Sequence, residues 1–135
     1  MFAGVLKNLG TKRAFIVHGF DGLDEATVTD ETRVSELKGG IVTTYNITPV
    51  TYFGETYDGR NLLGGDASVN AQITKDVLAG KDGAPRKIVL LNAALAIVAG
   101  EKAKDIREGI AVAEECIDSG KAIKKLMALI EMSNG

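Results

Sequence analysis

Hydrophobic positions along this chain follow a helical rhythm at both ends and a strand-like one between them. Phe2, Val5, Leu6 and Leu9 recur on one helical face, and Gly10 stands where a helix C-terminus takes a left-handed residue. Residues 14–17, Ala-Phe-Ile-Val, form a short, partly β-branched run that ends in a Gly-rich turn, which predicts a buried strand. Residues 33–37 and 41–45 read as two more strands. Lys38-Gly39-Gly40 between them predicts a tight hairpin with positive φ. Residues 46–65 contain Pro49 and several glycines without clear periodicity, so they read as a long connecting loop.

Four helices follow. The first, residues 68–79, has Ser68 as its expected N-cap, aligns Val69, Ile73 and Val77, and ends at Gly80. The second, residues 86–99, is apolar nearly all round, so it should be buried on most sides. The third, residues 104–118, places Ile106, Ile110, Ala113 and Ile117 on one face. The fourth, residues 121–132, aligns Ile123, Leu126, Met127 and Ile130. One strand, a hairpin and a helical run predict an α/β fold. The order fits the C-terminal portion of a larger α/β domain, residues 1–135, better than a free-standing doubly wound sheet. The leading helix then reads as the last piece of a crossover, and strand 14–17 should lie beside parallel strands supplied from outside the chain.

The chemistry gathers after that strand. In an open α/β sheet, ligands sit beyond the carboxyl ends of strands. Here that position holds a glycine-rich turn and then Asp24 and Glu25. Two neighbouring carboxylates on an irregular loop can turn toward one hard cation such as Mg²⁺, which wants oxygen ligands and keeps several for water and phosphate. An exposed acidic turn is the plainer reading of the same residues.

Gly64-Gly65-Asp66 before a helix invites a phosphate reading, but no Gly-Lys-Ser/Thr occurs, and a tight turn with close packing accounts for the glycines. His18 is the only histidine and is expected to be hydrogen-bonded in a structural role. Asn92 and Asn70 should bond neighbouring backbone and fix helix packing, because an unpartnered buried amide costs about 1–3 kcal/mol. Tyr45, Tyr52 and Tyr57 suggest no role. Cys116 sits at helical spacing among apolar residues and reads as a buried, inert thiol.

Composition narrows the classes. A net charge of −2 with no basic stripe argues against nucleic acid as a partner. The longest apolar run, residues 88–99, is broken by Asn92 and is too short to cross a bilayer. The single cysteine excludes an intramolecular disulfide and suits a reducing, cytoplasmic setting.

The segment His18-Gly19-Phe20-Asp21-Gly22-Leu23-Asp24-Glu25 resembles the acidic loop of anthranilate phosphoribosyltransferases. Gly64-Gly65-Asp66 with Asn70-Ala71, Leu78-Ala79-Gly80, Leu91-Asn92-Ala93-Ala94 and residues 104–109 follow in that family's order. Val69 is a departure, where a glutamate is expected. The resemblance implies a phosphoribosyltransferase/nucleoside phosphorylase-type α/β domain, of which this is the C-terminal portion. It implies transfer of phosphoribose from phosphoribosyl pyrophosphate to anthranilate in tryptophan biosynthesis, with Mg²⁺ held by Asp24 and Glu25. A Gly-Thr-Gly-Gly-Asp pyrophosphate loop belongs to the family but not to these residues, so the chain alone should be inactive, with no catalytic residue of its own. A pyrimidine nucleoside phosphorylase-like fragment and a non-catalytic, self-associating domain are the alternatives. A homo-oligomer is expected, because an unpaired sheet edge and uncovered helix faces seek partners.

Overall fold

The computed structural model describes all 135 residues. In chain order the elements are α1 (Phe2–Asn8), β1 (Arg13–Gly19), β2 (Thr32–Lys38), β3 (Ile41–Ile47), α2 (Pro49–Phe53), a 3₁₀ turn (Gly59–Leu62), α3 (Ala67–Leu78), α4 (Ala84–Ala99), α5 (Ile106–Asp118) and α6 (Lys121–Asn134). The strands form one sheet in the order β1-β2-β3, antiparallel throughout. The hairpin closes with Lys38 opposite Ile41, and Gly39 and Gly40 have φ of +55° and +79°. Both central residues of a type I′ turn need that left-handed backbone, which L side chains resist.

The sheet gives the first strand an unexpected antiparallel partner from within the chain and leaves unpaired the edge where parallel strands from outside the chain are expected. β1 is an edge strand paired antiparallel with β2, and residues 13–17 are half-buried rather than buried. Loop 20–31 turns the chain back on itself, so the neighbour comes from within the chain and one long edge stays open. Phe15, Val17, Val34, Tyr45 and Ile47 face the helices and join a core with Leu90, Leu91, Ala94 and Leu95 of α4 and Ile106, Ile110, Ala113 and Ile117 of α5. Gly109 makes the α4–α5 crossing close, since a Cβ there would lie 2.9 Å from the Ala94 carbonyl oxygen. On the other side of the sheet Leu37 is fully buried, and α1 packs there with Ala3 inward.

Several local expectations shift. The predicted loop 46–65 contains α2, with Pro49 in its first turn after Thr48, and the 3₁₀ turn capped by Asp58. Helix α3 is capped by Asp66, whose carboxylate accepts from the Val69 amide at 2.9 Å, and Ser68 lies inside it. Helix α5 starts after Asp105, which accepts from the Glu108 amide at 2.9 Å, while Glu108 accepts from the Lys104 amide at 2.9 Å. Cys116 is half-buried, not buried. The apolar face of α1 is largely uncovered, with Phe2 71% and Leu9 75% exposed, and α6 has no buried residue.

Candidate functional site: the acidic loop

Loop 20–31 starts from a backbone turn. The Gly22 amide donates to the Gly19 carbonyl at 3.0 Å, the Gly19 amide to the Leu23 carbonyl at 2.9 Å, and the Phe20 amide to the Glu31 carbonyl at 2.9 Å. Gly22 has φ of +96°, and a Cβ at Gly19 would strike the Asp21 carboxylate. Asp21 then ties the turn to the next stretch. Its Oδ1 accepts from the Leu23 amide at 3.1 Å, and its Oδ2 accepts from the Thr27 hydroxyl at 2.5 Å and from the Thr29 hydroxyl. Burial pushes the Asp21 carboxyl up, but these three donors outweigh it and hold the group below its ordinary value. Thr27 is itself anchored, its amide donating to the Thr32 hydroxyl at 3.0 Å.

A second anchor comes from α4. Asn92 Oδ1 accepts from the Ala26 amide at 2.9 Å, and its Nδ2 donates to the Ala26 carbonyl at 2.7 Å and to the Ile88 carbonyl at 3.0 Å. One side chain thus meets both polar groups of Ala26, which is fully buried, together with a carbonyl of its own helix. This is the expected role of Asn92, reaching a segment far away in sequence. Asn70 repeats the device at Gly65, accepting from its amide and donating to its carbonyl, both at 2.9 Å. A Cβ at Gly64 would fall 2.5 Å from Asn70 Oδ1, and one at Gly65 would fall 3.0 Å from Val69. Those glycines serve close packing, as the sequence predicts.

Asp24 and Glu25 lie between the two anchors. Both are exposed, and neither carboxylate takes part in a hydrogen bond or an ion pair. Burial, and then the neighbouring Asp24 charge, push the Glu25 carboxyl upward. Two adjacent acids without counter-charges on a fixed backbone favour a cation. No group of three His, Cys, Asp or Glu residues comes together in the chain. A cation held here therefore keeps most of its coordination sphere for water or ligand oxygens, which suits Mg²⁺ and not an all-protein cage. Glu25 also borders an apolar cavity of about 320 Å³ whose wall includes Leu23, Leu62, Val77 and Ile88.

The sequence singles out the pair as candidates but not the residues that position it. Asp21 and the two threonines follow an Asx-turn pattern, an aspartate bonding the amide two residues on, and that signal was present in the sequence. His18, expected to be hydrogen-bonded in a structural role, is exposed in β1, and its imidazole makes no hydrogen bond. No helix is long and apolar enough to cross a membrane.

Comparison with known proteins places the chain among sugar transferases. Residues 1–123 match the family described as "Glycosyl transferase family, a/b domain". The anthranilate phosphoribosyltransferase of Syntrophobacter fumaroxidans is 52% identical over 134 residues, which cover 99% of this chain and 40% of that protein. The enzyme of the same name from Desulfosudis oleivorans is 51% identical over 138 residues, covering 100% of this chain and 41% of that protein. Among solved structures, the Thermus thermophilus anthranilate phosphoribosyltransferase superposes with a TM-score of 0.85 at 31% identity, covering 98% of this chain and 39% of that one. The Saccharomyces cerevisiae enzyme, solved in complex with PRPP and Mg, has a TM-score of 0.75 at 31% identity, covering 87% of this chain and 34% of that one. The chain spans about two fifths of the length of the curated relatives it matches.

Proposed function

The chain belongs to the glycosyl transferase family, a/b domain, and on that premise we propose that it is the acidic-loop portion of an anthranilate phosphoribosyltransferase. In this reading residues 1–135 are one unit, the C-terminal part of a larger α/β domain. The whole enzyme transfers phosphoribose from phosphoribosyl pyrophosphate to anthranilate, a step of tryptophan biosynthesis in the cytoplasm. The observation that carries the reading is the pair Asp24 and Glu25. They stand free of protein partners on a loop fixed at Asp21 and Asn92, in a chain half identical to enzymes of that name.

Asp24 and Glu25 are the residues that would hold Mg²⁺. The chemistry a bound Mg²⁺ would supply there is neutralisation of the charge on a pyrophosphate leaving group. The two side chains bind and orient. Asp21 and Asn92 fix the backbone that aims them, and no residue here is assigned as a general base. Two carboxylates cannot by themselves align two substrates, so the chain alone is inactive. The open edge of β1 and the uncovered faces of α1 and α6 favour a homo-oligomer.

An assay of phosphoribosylanthranilate formation tests this. The pure chain should give none. Supplying the remaining portion of a relative should restore Mg²⁺-dependent turnover. Asp24→Asn and Glu25→Gln should each lower that turnover by more than about tenfold, since even the outer partners of metal ligands carry 10–100-fold. Turnover by the pure chain, or unchanged turnover in both variants, overturns the proposal.

A further inference from the structure

The end of the sheet away from the acidic loop carries a second cleft, of about 460 Å³. It lies where β1 begins and β2 ends, against α2 and the first turn of α5. β1 spans seven residues, so the cleft is about 20 Å from the acidic loop at the usual rise per strand residue. Its floor is apolar, with Val98 and Ile106 buried beneath it.

The charges lining it are unevenly balanced. Arg13 is already satisfied, because its Nε and Nη2 donate to Glu36 Oε1 at 3.2 and 2.9 Å. Tyr45 donates its hydroxyl to Glu36 Oε2 at 3.0 Å, so Glu36 is satisfied as well. Asp105 also faces the cleft; its Oδ1 caps α5, and its charge offsets one of the cations there. Three cations stand outside any ion pair. Lys38 and Lys104 have no side-chain hydrogen bond and no carboxylate within ion-pair distance. Arg107 donates Nη2 to the Thr51 carbonyl at 2.7 Å and lies over the Tyr52 ring at 5.9 Å, again without a carboxylate. Cations gathered around a concave surface repel one another unless an anion joins them.

We propose that this cleft binds the phosphate group of a small molecule, at a site separate from the acidic loop. The three cations approach from the end of β2, from the turn before α5 and from α5 itself. That convergence suits a tetrahedral anion with oxygens on several sides better than a flat carboxylate. Arg107 is already held at Tyr52 and Thr51, so it offers its remaining donors with less ordering cost. The inference does not depend on the activity proposed above.

The test is a titration of the ¹⁵N-labelled chain with inorganic phosphate in Mg²⁺-free buffer at constant ionic strength, followed by amide shifts. Acetate is titrated in parallel. Saturating shifts are expected at Lys38, Thr51, Tyr52 and residues 104–107, with phosphate and not with acetate. The Lys38→Gln/Lys104→Gln variant touches no other side-chain bond, and it should weaken phosphate at least about tenfold, the effect of losing one charged contact. Lys124→Gln/Lys125→Gln on α6 should leave the affinity unchanged. The proposal is overturned by shifts that never saturate, shifts spread equally over α6, equal binding of acetate, or unchanged phosphate affinity in the Lys38/Lys104 variant.

Discussion

At the scale of single residues, the acidic loop is shaped by side chains that are not themselves offered to a ligand. Asn92 bonds both polar groups of a fully buried Ala26, so its loss strands a donor and an acceptor where water does not reach. Asn92→Ala should cost about 2 kcal/mol in chemical denaturation, the penalty for unsatisfied buried groups. It should also speed hydrogen exchange at Ala26 and leave the far end of the sheet protected. Asp21 makes a prediction in pH. Its carboxyl is held below the ordinary 3.8 in the folded chain by Thr27, Thr29 and the Leu23 amide, against the upward push of burial. A depressed native value stabilises the fold at pH above the ordinary value, and that contribution disappears as pH falls through the lowered one. An acid titration of unfolding free energy should therefore steepen below about pH 4, and Asp21→Asn should flatten that limb. An identical acid limb in the variant would place the stabilisation elsewhere. Asp24 and Glu25 have no bonds to lose, and removing one charge relieves the other. Asp24→Asn and Glu25→Gln should thus leave the melting temperature unchanged or higher.

At the scale of elements, the helices and the hairpin were legible because their punctuation is local. Gly80, Gly100 and Gly120 stop helices, and Gly39-Gly40 can make only a turn with left-handed backbone. Where two good caps compete, local reading fails. Asp66 and Ser68 both suit an N-cap, and Gly64-Gly65 packed against α3 decides for Asp66. The antiparallel partner of β1 was not legible, since pairing direction is set by how loop 20–31 returns and not by the strand's composition. The uncovered faces of α1 and α6 show the same limit. Periodicity identifies a face that wants a partner but not whether the chain supplies one. The α4–α5 crossing gives the sharpest test at this scale. Gly109→Ala places a methyl 2.9 Å from the Ala94 carbonyl oxygen and 3.0 Å from its Cα, both backbone atoms that cannot swing aside. The helices must separate, and thermal unfolding should register a loss of about 1–3 kcal/mol, the usual cost of overpacking. Unchanged stability would mean that the crossing is looser than described.

At the scale of the whole molecule, a three-stranded sheet with two free edges carries a well-packed helical layer on one face and a single short helix on the other. Phe2 of α1 and Leu9 just after it, and Leu129 and Met132 of α6, are at least 63% exposed, which is unusual for large apolar side chains at helical spacing. Self-association should follow, and a two-fold dimer is the commonest closed form. Sedimentation over a dilution series should show it. A strict monomer at micromolar concentration would mean that these faces are tolerated in water. The acidic loop remains the feature on which the functional reading stands. Its most direct test is paramagnetic: Mn²⁺, a close substitute for Mg²⁺, added to the ¹⁵N-labelled chain in buffer free of phosphate and pyrophosphate. The amide signals of residues 23–26 should broaden first and most, and Asp24→Asn/Glu25→Gln should abolish that broadening. Broadening centred elsewhere, or persisting unchanged in the double variant, would contradict the assignment of this loop as the cation site.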